Sequence, residues 1–128
     1  MIRAPRSRRP TLRPRERLHL TKRFLAIRRQ GAWVRGRLLA VGTLPNELPG
    51  NRLGLRIRRG VKGSVERNRA KRVFRAMYRV HKGKAKPGQD LLVVIQQVDS
   101  VSLEQFSDEF TTACRRLKIL QSEEQPAG

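Results

Sequence analysis

The sequence predicts a small α+β domain, one β-sheet covered by helices, with elements in the order α-β-β-α-β-α. Three stretches predict it. Arg52-Leu53-Gly54-Leu55-Arg56-Ile57-Arg58 alternates apolar and basic residues with period two, the pattern of a half-buried strand. Ser64–Lys82 spaces its apolar residues three and four apart, the pattern of an amphipathic helix. Leu91–Val98 is a run rich in β-branched residues, the mark of a strand covered on both faces or central in a sheet. A chain of 128 residues fits one such domain, and 38% hydrophobic residues supply a modest core.

Residues 1–17 come first, with seven arginines, three prolines and almost no apolar content. They cannot bury enough surface to offset the entropy of ordering, so a disordered basic arm is expected there. The folded domain is expected over 18–120. Thr21 to Arg29 reads as a short helix, with Leu20, Phe24 and Ile27 at helical spacing and Gly31 as its stop. Trp33–Leu44 is strand-like, and Pro45–Gly50 is a turn-rich loop. In the next strand Leu53, Leu55 and Ile57 face the core while Arg52, Arg56 and Arg58 face outward. Three like charges on one open face repel unless an anion lies across them. Gly60 and Gly63 break the chain, and Ser64 is expected to cap a helix running to Lys82. Gly83 ends it, and Pro87-Gly88 turns the chain into the Leu91–Val98 strand. Ser102-Leu103-Glu104-Gln105 has the form of a capping box. It opens a last helix with an inward stripe of Leu103, Phe106, Phe110, Ala113 and Leu117. The polar tail 121–128 is expected to be disordered.

Charge says more about function than any other compositional feature. Thirty basic residues against ten acidic ones give a net +20. Residues 1–97 hold 27 of the basic residues and four acids, a net +23, while residues 98–128 are net −3. A compact domain with that charge repels itself unless a polyanion neutralises it, so nucleic acid is the leading partner. An anionic membrane is the weaker alternative, because a lipid-surface helix needs an apolar face free to insert. The longest apolar run, Leu91–Ile95, is far short of a membrane span of about 20 residues. The basic N-terminus lacks the apolar segment of a secretory signal, and Pro5, Pro10 and Pro14 spoil the helix of a transit peptide. The expected compartment is the cytoplasm.

On a helix at about 100° per residue, Arg67, Lys71, Lys82, Arg75, Asn68, Arg79 and Arg72 fall within an arc of roughly 140°. Ala70, Val73, Phe74 and Met77 gather almost opposite. One face builds the core and the other presents a ridge of cations around one amide. Arginine forks onto phosphate oxygens, and asparagine both donates and accepts at a sugar or base edge. A solvated basic face without a target is the competing reading of spacing alone.

The order Arg67-Asn68-Arg69-Ala70-Lys71-Arg72-Val73-Phe74-Arg75 resembles the RNR-x-KR-x-x-R signature of the bacterial ribonuclease P protein family. Upstream, Arg52-Leu53-Gly54-Leu55-Arg56-Ile57-Arg58-Arg59 is similar to the strand that leads into that helix. Phe24, Gln30-Gly31 and Arg37 sit where the family has its first helix and strand, so the resemblance covers roughly residues 17–120. It implies an α/β sandwich with a left-handed crossover, like the second domain of ribosomal protein S5. It implies that Arg67, Asn68, Arg69, Lys71, Arg72 and Arg75 contact the catalytic ribonuclease P RNA, together with Arg58, Arg59 and Lys62 of the preceding loop. It further implies a cleft between the sheet and the first helix, holding the single-stranded 5′ leader of precursor tRNA. Phe24, Arg28, Arg37, Arg52 and Arg56 would line that cleft. The RNA subunit would bind Mg²⁺ and cleave the leader; the protein would hold no metal and make no use of DNA or membrane. Two positions depart from the family. Arg28 stands where a second aromatic is common, and another aromatic is replaced near Gly42. Holding the leader more by charge than by stacking is the expected consequence.

The residues offer no catalyst of their own. Phosphodiester hydrolysis needs clustered carboxylates for metal or a positioned acid–base pair. The basic part of the chain has four scattered acids, and Asp108 and Glu109 are expected on the solvent side of the last helix. His81 ends the basic helix near its apolar edge, and Cys114 reads as a small apolar filler. Trp33 is open to two readings, core anchor or stacking partner for RNA, and Phe24 likewise to core or cleft. A structural RNA-binding protein of ribosomal type would explain the charge but not the signature. An architectural DNA binder would instead favour a β-arm or a recognition helix in a dimer.

Overall fold

The computed structural model describes residues 21–121. The expected arm at 1–17 and the tail beyond Gln121 lie outside the described residues. Helix α1 spans Thr21–Gln30, and strands β1 (Ala32–Arg35), β2 (Leu39–Pro45) and β3 (Arg52–Ile57) follow. Helix α2 runs Ser64–His81, a 3-10 turn covers Lys82–Lys84, and β4 (Gln89–Ile95) and α3 (Leu103–Arg116) complete the order. The stretch Trp33–Leu44, expected as one strand, is therefore a hairpin. Gly36 turns it, its N–H donating to the Leu39 carbonyl at 2.7 Å, and the order becomes α-β-β-β-α-β-α.

The sheet order is β1-β2-β4-β3, with β1–β2 and β2–β4 antiparallel and β3–β4 parallel. Parallel neighbours need a long crossover, and here α2 supplies it. Strand alternation then gives the sheet two unlike faces. Val34, Val41, Val93 and Leu55 stand in one register row on the first face, and Leu39, Ile95 and Ile57 in the next. All belong to the main core under α2 and α3. There Phe74, Tyr78, Phe106 and Phe110 pack with ring centroids 5.7 to 6.2 Å apart, in edge-on and offset arrangements that aromatic quadrupoles favour. Ile27 of α1 caps Leu92 on the second face, with Phe24, Trp33 and Leu44 around them. α1 covers only part of that face.

Local signals hold at several ends. Gly31 closes α1: its N–H donates to the Ile27 carbonyl at 2.9 Å. A Cβ there would stand 2.6 Å from the Ile27 oxygen and 2.8 Å from the Thr43 oxygen, so only glycine allows the approach. Ser102 and Gln105 form the expected capping box at α3. Ser64, in contrast, is the first helical residue and not the cap. The cap position is Gly63, at φ 97°, and no side chain hydrogen-bonds there. Leu103, expected in the inward stripe of α3, is 40% exposed; Phe106, Phe110, Ala113 and Cys114 are the buried residues of that helix.

Candidate nucleic-acid interface

Helix α2 is bifacial as its spacing predicts. Ala70, Phe74, Met77 and Tyr78 are buried and Val73 packs against them, while Arg67, Asn68, Arg72 and Arg75 are exposed and Lys71 is half-exposed. Among the described residues no carboxylate pairs with Arg67, Lys71, Arg72 or Arg75. Arg69 is placed differently. It lies about 200° around the helix from Arg67, and its guanidinium donates to the Val101 carbonyl at 3.0 Å, tying α2 to the entry of α3. Arg58, Arg59 and Lys62 are exposed on the loop that leads into α2. They follow β3 directly, so the strand's cations and the helix's ridge are joined by one basic connection.

The two aspartate-paired arginines form a second group. Asp90 of β4 is buried and lies opposite Arg52 in the parallel register. Arg52 donates to both carboxylate oxygens at 2.8 Å, Arg23 of α1 donates at 2.8 Å, and the Asn46 amide at 2.9 Å. Burial alone pushes the Asp90 carboxyl up, but the hydrogen bonds from Arg52, Asn46 and Arg23 outweigh it and hold the group below the usual carboxylate range. Its own hydrogen bonding to Asp90 raises the Arg52 guanidinium against the opposing effect of burial. Arg52, expected as a free cation lining the cleft, is thus held by Asp90 across the β3–β4 pair, while Arg23 on the same carboxylate staples α1 to the sheet.

Beyond that staple the second face stays open. A cleft of about 670 Å³ is lined by Arg28, Trp33, Arg35, Ala40, Arg56, Ile57, Arg58, Arg59, Val94 and Gln96. One register row, Arg35-Ala40-Val94-Arg56, runs across it, with the two apolar residues as floor and the two arginines at opposite sheet edges. Strand spacing puts those edges about 14 Å apart. Five arginines line the cleft and no acid does. Field lines of one sign focused in a concave site concentrate anions there. Arg28 and Arg56 stand where the resemblance implies. Arg37 is exposed on the hairpin turn beside Gly36, whose carbonyl accepts from the cleft residue Gln96 at 2.6 Å; it flanks the cleft and does not line it. Phe24 is half-buried beneath Arg56, whose guanidinium carbon sits 4.4 Å from the ring centroid. Its ring packs against the Ile27–Leu92 cluster, and it is not among the residues that line the cleft. Trp33 joins both that cluster and the cleft wall. Arg35 is the cleft residue that sequence reasoning missed. Its signal was there: it is two residues from Trp33 and shares its face.

Glu109 and Cys114 are structural in placement. Glu109 is not on the solvent side of α3. It is half-buried, and its carboxylate accepts the Leu38 and Leu39 N–H groups at 3.1 and 3.0 Å, anchoring the β1–β2 hairpin. Burial pushes the Cys114 thiol up to about 12, so it packs as a small apolar residue and gives no thiolate. Among the described residues no three His, Cys, Asp or Glu side chains group closely enough to hold a metal ion. None of the described helices is long and apolar enough to cross a membrane.

The family model described as Ribonuclease P matches residues 12–118. A ribonuclease P protein component of Syntrophus aciditrophicus is 27% identical over 114 residues, covering 89% of this chain and 91% of that protein. That of Thermotoga maritima is 31% identical over 106 residues, covering 83% and 90%. Among solved structures, the Staphylococcus aureus RNase P protein superposes with a TM-score of 0.71 at 25% identity, over 83% of this chain and 98% of that one. The Thermotoga maritima RNase P protein gives 0.70 at 25%, over 79% and 96%. The match spans the sheet, the arginine cleft and the basic helix alike, and the chain belongs to the ribonuclease P protein component family.

Proposed function

We propose that this protein works as the subunit of ribonuclease P that grips two RNAs at once. The exposed side of α2, with Arg67, Asn68, Lys71, Arg72 and Arg75, docks on the ribonuclease P RNA, and Arg58, Arg59 and Lys62 extend that contact. The cleft on the second sheet face holds the single-stranded 5′ leader of precursor tRNA, its phosphates paired by Arg28, Arg35 and Arg56. The RNA subunit, with Mg²⁺ that it binds, supplies the hydrolysis that leaves a 5′-phosphate on mature tRNA; the cytoplasm is the setting.

The observation that carries this reading is the five-arginine cleft, with no acid in its lining, on a sheet face where the Asp90 carboxylate is already bound by Arg52, Arg23 and Asn46. Within it the protein lowers the repulsion between two polyanions and holds the leader where the RNA can cut. A free cation in the cleft also releases counterions when a phosphate replaces them, so binding weakens as salt rises. Reconstitution tests it. The protein added to ribonuclease P RNA at low Mg²⁺ should restore cleavage of precursor tRNA at the mature 5′ end. A structural ribosomal-type RNA binder or a DNA binder would give no such rescue.

A further inference from the structure

Resting on the leader-cleft reading, we propose that Trp33 is the base-stacking platform of that cleft, and that Gly42 is the residue that lets its ring lie there. Four of the six aromatics are used in the main core, which leaves Phe24 and Trp33 for the second face. Phe24 is capped by the Arg56 guanidinium at 4.4 Å and is not part of the cleft wall. Trp33 is part of that wall. It pairs in register with Gly42 on β2, and a Cβ at Gly42 would stand 2.4, 2.5 and 2.7 Å from ring atoms Cε2, Cζ2 and Cδ2. The indole therefore lies across bare backbone, at a height no side chain at position 42 would permit.

Its orientation is fixed as well. Nε1–H donates to the Ile27 carbonyl at 3.0 Å, the same oxygen that takes the Gly31 N–H at the end of α1. A polar edge tethered to the helix and one side resting on Gly42 leave the ring pre-positioned, so stacking costs little further ordering. The Arg35 guanidinium carbon stands over the ring at 5.8 Å from its centroid, a looser contact than the 4.4 Å of Arg56 over Phe24, so a base takes the indole face as Arg35 swings aside to pair the adjacent phosphate. Base–aromatic stacking tolerates any sequence, since every base has a π-face, so this site adds affinity for a single strand without reading its letters. In this chain the aromatic expected near position 42 has been replaced from the neighbouring strand.

Trp33 is the sole tryptophan, so its emission reports on this site alone. The holoenzyme, reconstituted from the full chain and its RNA, is titrated with precursor tRNA and with the same tRNA lacking the leader. Quenching with the precursor and none with leaderless tRNA is expected. Trp33→Leu should raise the Kd for precursor on the order of tenfold and leave that for leaderless tRNA unchanged. Trp33→Phe should recover most of the loss, and Gly42→Ala, which displaces the ring, should behave as Trp33→Leu. Affinity for the ribonuclease P RNA confirms that each variant is folded, because a general packing defect would lower it too. Emission unmoved by the leader, or leader-dependent affinity intact in Trp33→Leu, overturns the stacking role while leaving the cleft as leader site. Equal wild-type affinity for precursor and leaderless tRNA removes the leader reading itself, and the platform with it.

Discussion

The two faces of the sheet are built from the same four strands, one residue out of step. Val34, Val41, Val93 and Leu55 sit in a dry core, while Arg35, Ala40, Val94 and Arg56, their immediate neighbours along each strand, form the floor and edges of a cationic cleft. Two helices seal the first face and one ten-residue helix covers part of the second. The period of a β-strand thus separates folding from binding at single-residue resolution. Where a face is fully covered its residues hold the molecule together. On the partly covered face, burial and charge must share the space, and Asp90 marks the border between them.

The largest effect should come from the sealed face. Phe74 touches Tyr78, Phe106 and Phe110 and is fully buried, so Phe74→Ala should cost about 3–5 kcal/mol in urea unfolding through a cavity that aromatic neighbours cannot fill. Leader-dependent affinity of the folded fraction should stay unchanged. A selective loss of leader affinity would show that the faces are not independent.

The border residue should rank next. Asp90→Ala leaves Arg23 and Arg52 facing each other without their shared anion. Breaking a buried pair costs about 3–5 kcal/mol, but these guanidinium side chains remain 27% and 21% exposed, and water offsets part of the loss. About 2–3 kcal/mol is expected. The pH dependence has a definite sign. Because the folded carboxyl is held low, its stabilising contribution is complete above the unfolded value near 3.9 and is lost as pH falls through the folded value. Wild-type stability should therefore drop on acidification below about pH 4 more steeply than that of Asp90→Ala, measured by urea midpoints across the acid range.

What the sequence made legible follows the range of the interaction. The Ser102–Gln105 capping box, the Gly31 stop and the bifacial α2 are local, set by residues within a turn or two of one another, and each was readable. The Gly36 turn was hidden because the flanking residues form one continuous strand-like pattern without an Asn-Gly or Asp-Gly signal. Strand register was not readable at all. It alone brings Arg52 to Asp90, 38 positions away, and lays Trp33 on Gly42. The arginines of β3 looked equivalent because nothing on that strand tells them apart; a carboxylate on the neighbouring strand does. Glu109 was misplaced for the same reason, its partners being the amides of a hairpin about 70 residues upstream.

Arg52 and Arg56 give the smallest and most discriminating contrast. They lie on one strand and one face, four positions apart. Arg56→Ala should change stability by no more than about 0.5 kcal/mol, because its charge meets no acid and its main contact is the Phe24 ring. Its loss should appear in binding instead. Leader-dependent affinity should fall, and the slope of log affinity against log salt should flatten by about 0.7, the value for one phosphate contact on a single strand. Arg52→Ala should do the reverse: it removes two of the four hydrogen bonds that reach Asp90 and weakens folding, with the salt slope kept. Titrations of precursor and leaderless tRNA at several salt concentrations, beside urea curves for both variants, decide the matter. If Arg52→Ala flattened the slope as much as Arg56→Ala, then Asp90 would be yielding its arginine to the RNA, and the border between the two halves of that face would move one row toward α1.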